Sequence, residues 1–118
     1  MRYLMLIKHA ESIRDQEVPP HLMTAMEGFI KEKTASGELT ETAGLKGTAD
    51  GFRVRLRRRK VQVTDGPFTE TKEIVGGYAM LDVRSRDDAL VIAREFVELH
   101  RRHWPGLECE CEVRAVDE

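Results

Sequence analysis

Positive charge is not in excess in this sequence: 19 Lys and Arg stand against 21 Asp and Glu, a net of −2. A general nucleic-acid binder carries a basic footprint, so no nucleic-acid partner is expected. No apolar run approaches the roughly 20 residues that span a bilayer, and no membrane association is expected. The apolar start has no small-residue cleavage site, so a secretory signal is not expected and cytoplasmic residence is the default expectation. Cysteine is scarce, with Cys109 and Cys111 alone. Two apart on a strand, they share a face, where neighbouring side chains rarely reach disulfide geometry. No further Cys completes a zinc-type set, so two reduced thiols acting as small hydrophobes are expected, with no metal and no cofactor.

What remains is ordinary globular material: 34% charged and 41% apolar residues over 118 positions. That length predicts one domain, 1–118, with a modest core. Residues 2–9 read as a buried strand, closed by His9. His9 is a candidate because ligands bind near strand ends in α/β folds. Pro19-Pro20 opens a helix, since proline suits the first turn. Leu22, Ala25, Met26, Phe29, Ile30 and Lys33 form its inner stripe, and Gly37 ends it. His21 lies in the first turn, where the helix dipole disfavours an imidazolium and leaves a base.

Residues 39–46, 52–56 and 60–64 read as short strands, with a basic turn at Arg57-Arg58-Arg59-Lys60 that fits a solvated hairpin tip. Strand 74–83 contains Gly76-Gly77, which predicts a bulge or a close approach by backbone or ligand. Ser85 with Asp88 resembles a capping box. The helix after it carries Ala89, Ile92, Ala93, Phe96, Leu99, His100 and His103 on one stripe. His100 and His103 fit a helix-end amphipathic role better than a metal pair, since no third ligand is evident. The last strand, 107–116, places Glu108, Glu110, Glu112 and Arg114 on one face, where the three carboxylates need cations from elsewhere, such as a partner chain or Arg53 and Arg55.

One stretch is not explained by packing: Asp65-Gly66-Pro67-Phe68, then Glu70-x-Lys72-Glu73, then Gly76-Gly77-Tyr78. Asp-Gly-Pro is turn chemistry. The stretch resembles the signature of the DGPF proteins, the bacterial branch of the YCII-related domains. The opening Met1-Arg2-Tyr3-Leu4-Met5-Leu6-Ile7-Lys8 and the closing Glu112-Val113-Arg114-Ala115-Val116 are similar to that family's opening and closing strands. The element order reads as α+β, a ferredoxin-like βαββαβ with an elaborated central hairpin. Two helices cover only one face of such a sheet, so a homodimer is expected to cover the other. The resemblance implies the same dimeric α/β barrel.

Pro20-His21-Leu22 is similar to the helix start of the YCII branch, whose histidine is the proposed active-site group, paired with an aspartate. The resemblance therefore implies His21 as a catalytic base, with Asp65 or Asp50 as its partner. The cleft would gather Arg14, Glu70, Lys72, Glu73 and Tyr78 around a small anionic ligand, with Lys72 or Arg14 as the clamp. Relatives of the YCII type include an enzyme that eliminates chloride from a muconate-like acid, which implies a lyase. DGPF relatives also occur beside extracytoplasmic-function sigma factors, which implies a binding module as the alternative. In a third reading the signature is architectural, with Asp65 and Glu70 accepting hydrogen bonds from backbone N–H groups and holding the loop against the Gly76-Gly77 bulge.

Overall fold

The computed structural model describes residues 1–118. Strand β1 (Arg2–His9) is followed by a 3-10 turn at Glu11–Asp15 and by helix α1 (Pro20–Ala35). Then come β2 (Leu39–Gly44), β3 (Phe52–Arg57), β4 (Lys60–Asp65), β5 (Ile74–Asp82), α2 (Arg86–His103) and β6 (Glu110–Ala115). Local chemistry sets the boundaries. Pro20 sits in the first turn of α1, and Gly37 takes φ +84° just past its end. The Ser85 hydroxyl accepts the Asp88 N–H at 3.2 Å and caps α2. β6 starts three residues later than its alternation predicts. Gly106 turns the chain at φ +87°, and pairing with β1 begins only where Glu110 meets Lys8.

The main sheet is antiparallel in the order β2-β5-β1-β6, and both helices lie on one face. This α+β arrangement is compatible with the ferredoxin-like plan. β3 and β4 are not part of that sheet and form a two-stranded ribbon of their own. The core lies between sheet and helices: Tyr3, Met5, Ala79 and Leu81 from the strands meet Phe29 of α1 and Ala89, Ile92, Ala93 and Phe96 of α2. Met5, Leu22, Leu81 and Ile92 are almost wholly enclosed. Each such side chain contributes roughly 1.5–3 kcal/mol. Lys33 belongs to the inner stripe of α1 as expected, but its Nζ reaches Glu95 of α2 at 2.9 Å and ties the helices together.

Strand alternation sends Leu4, Leu6, Tyr78 and Met80 to the other face, opposite the helices, where the register pairs Leu4 with Met80 and Leu6 with Tyr78. Glu110 and Glu112 share that face, and Lys8 holds Glu112 at 2.6 Å. The cation expected for the acidic row therefore comes from the neighbouring strand. Both cysteines are free. Cys111 packs against the core, and burial pushes its thiol up to about 12, as suits a small hydrophobe. No helix is long and apolar enough to cross a membrane.

Candidate active site

A cavity of about 590 Å³ opens between α1, the helix-covered face of the sheet and the C-terminal part of α2. That volume suits a small organic molecule. Of its 28 lining residues 18 are hydrophobic, so a ligand must be mostly apolar. The polar groups include His9, Arg14, Thr42, His100 and Cys109.

His9 is positioned by the end of β1 and by a defect in β5. The β1–β5 register slips between Ile7 and Lys8, so that Ile7 faces Gly77, Lys8 faces Val75, and Gly76 is left over. This is the bulge expected of the two glycines. The His9 ring lies on Gly76: a Cβ there would stand 1.9 Å from His9 Nε2. Only glycine admits the imidazole. The Arg14 guanidinium reaches the same residue and donates to the Gly76 carbonyl oxygen. The imidazole and the guanidinium thus converge on one bulged glycine.

The tautomer of His9 follows from its other nitrogen. Nδ1 lies 2.8 Å from the Ala10 carbonyl oxygen, which can only accept, so Nδ1 carries the proton. Nε2 then presents a lone pair in the neutral ring. His100 is built alike, with Nδ1 2.8 Å from the Phe96 carbonyl oxygen. Neither Nε2 is a buried atom lacking a partner, so each keeps accessible surface, and both residues line the cavity. Burial holds the His100 imidazole below its ordinary value of 6.5; the Phe96 carbonyl opposes this and nearby His9 adds to it. His100 is therefore a neutral ring in the cavity wall.

The turn after β1 is fixed by Glu11. Its carboxylate accepts the Thr48 N–H at 3.0 Å and the Thr48 hydroxyl hydrogen, and the same hydroxyl oxygen accepts the Phe68 N–H at 3.0 Å. The Thr48 hydroxyl is the main cause that holds Glu11 below the usual carboxylate range, followed by the Thr48 N–H. Glu11, Thr48 and Phe68 thereby join the turn that carries Arg14 to the signature loop.

The signature loop itself forms a clamp. A Cβ on Gly66 would lie 1.7 Å from the Thr48 carbonyl oxygen, so only glycine fits, and the Gly66 N–H donates to Gly51 at 2.9 Å. The Arg53 guanidinium lies over the Phe68 ring at 3.8 Å, bonds Glu70 at 2.5 Å and reaches the Thr71 hydroxyl at 2.8 Å. The Glu70 carboxyl is held low by its own backbone N–H first and by Arg53 second. A clamp forms here through Glu70 and not through Asp65, and it closes on Arg53 and Thr48 rather than on the Gly76–Gly77 bulge.

Of the residues named from the sequence, Arg14 lines the cavity, and so does His9. His21 is exposed at the start of α1, and Asp65 is exposed at the end of β4. Neither lines the cavity, and neither do Asp50, Glu70, Lys72, Glu73 or Tyr78. Lys72 and Glu73 are exposed, and Tyr78 lies on the open face, where burial and then Glu41 raise its phenol. His100 is the lining residue that the stripe of α2 hid, since a histidine among core positions reads as packing. The available signal was its place on the apolar side of the helix together with a glycine bulge opposite His9.

Two comparisons bear on ancestry. The model of the YCII-related domain matches residues 1–101. An uncharacterised protein of Rhizobium meliloti (strain 1021) is 31% identical over 98 residues, covering 80% of this chain and 79% of the relative. With a matched span that runs from β1 through nearly all of α2, the chain belongs to the YCII-related domain family.

Proposed function

We propose that the cavity takes up a small, mostly apolar carboxylic acid and that His9 acts on it as a general base. The observation that carries this is the meeting of His9 Nε2 and the Arg14 guanidinium at Gly76, on the wall of an otherwise apolar cavity. Arg14 spends one N–H on the Gly76 carbonyl, and the others are left for a carboxylate. His9 Nε2 takes a proton from a carbon beside the acid. The electron pair left behind becomes a C=C bond as a leaving group departs with its own pair. The Nδ1–H bond to Ala10 steadies the imidazolium so formed. This is elimination chemistry, in keeping with the lyase activity that the family resemblance implies. The uncovered face with Leu4, Leu6, Tyr78 and Met80 supports pairing with a second copy of the chain.

The competing assignment makes His21 the base, Asp65 its partner and Lys72 the clamp. The two assignments separate by mutation. With 3-chlorobutanoate and 3-chlorohexanoate as probes, which carry hydrogen on the carbon beside the carboxylate and chloride on the next, Arg14→Gln is expected to weaken binding about 10- to 100-fold in calorimetry. For any probe that turns over, His9→Gln is expected to lower kcat by about 10²- to 10⁴-fold while binding persists. Loss of turnover in His21→Ala, with His9→Gln and Arg14→Gln behaving as wild type, would move the site to the start of α1.

A further inference from the structure

The sheet side of the cavity is graded. The register of β2, β5 and β1 sets three rows of residues across the face that the helices cover. Beside the bulge the row is Gly44, Gly77 and Ile7; the next is Thr42, Ala79 and Met5; the third is Leu39, Leu81 and Tyr3. Side chains grow from row to row. A Cβ on Gly44 would meet nothing within 4 Å, so the first row leaves space open. Leu39 and Leu81 are only 5% and 1% exposed, and they close the third. Arg14, Gln16, Val18 and Met23 line the cavity and are exposed, so the entrance lies at the Arg14 end. The cavity is a channel that leads from Arg14 and Gly76 to a blind end.

Its length can be taken from both walls. From Gly76 to Ala79, the last small residue before Leu81, β5 advances about 10 Å. Leu22, Met26 and Ile30, four apart on α1, line the opposite wall over about 12 Å. An extended carbon chain advances about 1.25 Å per C–C bond, so about eight to ten carbons fill that length. The walls suit such a chain. Phe29 and Phe96 pack on each other with ring centroids 5.7 Å apart, and the rest of the wall beyond the entrance is aliphatic side chains and adaptable methionines. The one lining cation at the deep end is Lys33, and Glu95 at 2.9 Å and Glu32 at 3.4 Å already balance it. The blind end therefore has no free cation for a second carboxylate.

We infer that the ligand is a straight-chain aliphatic monocarboxylic acid of about eight to ten carbons, with its carboxylate on Arg14 and its tail ending against Leu39 and Leu81. The inference rests on the uptake of an acid proposed above and adds the chain that the acid carries.

The test is calorimetry of the wild-type protein with the straight-chain series from butanoate to dodecanoate, and with octanedioate. Affinity is expected to rise about three- to fourfold per methylene up to octanoate, to level by decanoate and to be no tighter for dodecanoate. Octanedioate is expected to bind about 100-fold more weakly than octanoate, because its second carboxylate would enter the apolar blind end. Ala79→Val fills the middle row and is expected to bring the plateau down to hexanoate. Leu39→Ala opens the third row and is expected to carry the rise on to dodecanoate. Affinity independent of chain length, a rise through dodecanoate in the wild type, an octanedioate as tight as octanoate, or a plateau that neither variant moves would overturn the chain. The acid reading would then stand, provided that Arg14→Gln weakens every member of the series alike. No binding of any carboxylate would overturn both. Should either variant fail to fold, the wild-type series with octanedioate decides.

Discussion

Two glycines do opposite jobs in this chain, and a methyl group tells them apart. At Gly76 an added Cβ meets the His9 ring, the movable end of a side chain; at Gly66 it meets the backbone oxygen of Thr48. Gly76→Ala is therefore expected to cost stability near the lower end of the roughly 1–3 kcal/mol seen for overpacking, because the ring can swing away. The same swing takes Nε2 off the bulge where Arg14 is also held, so ligand binding in the cavity should fall more than stability does. Gly66→Ala has no such escape and should cost about 3 kcal/mol or more, with the backbone of two loops displaced. Urea denaturation and a binding titration on both variants check the contrast. Equal stability costs would mean that His9 is held as rigidly as backbone.

At the scale of elements, the loops that carry Arg14 and the signature are joined by Glu11 through Thr48. The Glu11 carboxyl is depressed below its ordinary value of 4.5, so its contribution is present above that pH and is lost as the pH falls through the lower folded value. Acid should therefore loosen the 3-10 turn and the signature loop ahead of the sheet. Urea midpoints measured at about pH 6 and about pH 3 should differ less in Glu11→Gln than in the wild type. An unchanged difference would remove Glu11 from the acid response. The elements themselves were legible from sequence because their signals are local: apolar alternation in β1, Pro20 and Gly37 around α1, Ser85 before α2, and the glycine pair for the bulge. The ribbon β3–β4 was legible as two strands, but not as separate from the sheet. Period-two alternation gives a strand two faces without saying which face is turned to water, and here the apolar face is.

The candidate site was only half legible for a related reason. Arg14 and His9 could be named, whereas His100 lies some ninety residues further along and reaches the cavity through the packing of α2 on the sheet. No local pattern reports a contact of that kind. The signature drew the reading toward Asp65, Glu70 and Lys72 because charges clustered in a loop look like chemistry. In the fold, Arg53 takes up Glu70 and Phe68, and the loop serves as a clamp behind the turn that holds Arg14.

The whole molecule is a slab of 45 × 38 × 19 Å, with helices on one side of the sheet, an open face on the other and a ribbon outside the sheet. The cavity lies on the helix side of the sheet. The central proposal is that the pocket at the bulge is where this protein meets its ligand. It is tested most directly by titrating the wild-type protein with hexanoate, a small and mostly apolar carboxylate, while following backbone amide and imidazole NMR signals. The account predicts that the shifted signals centre on His9, Arg14, Gly76 and His100, with those of His21 and Asp65 unmoved. Shifts centred on His21 and Asp65, with the bulge silent, would contradict it.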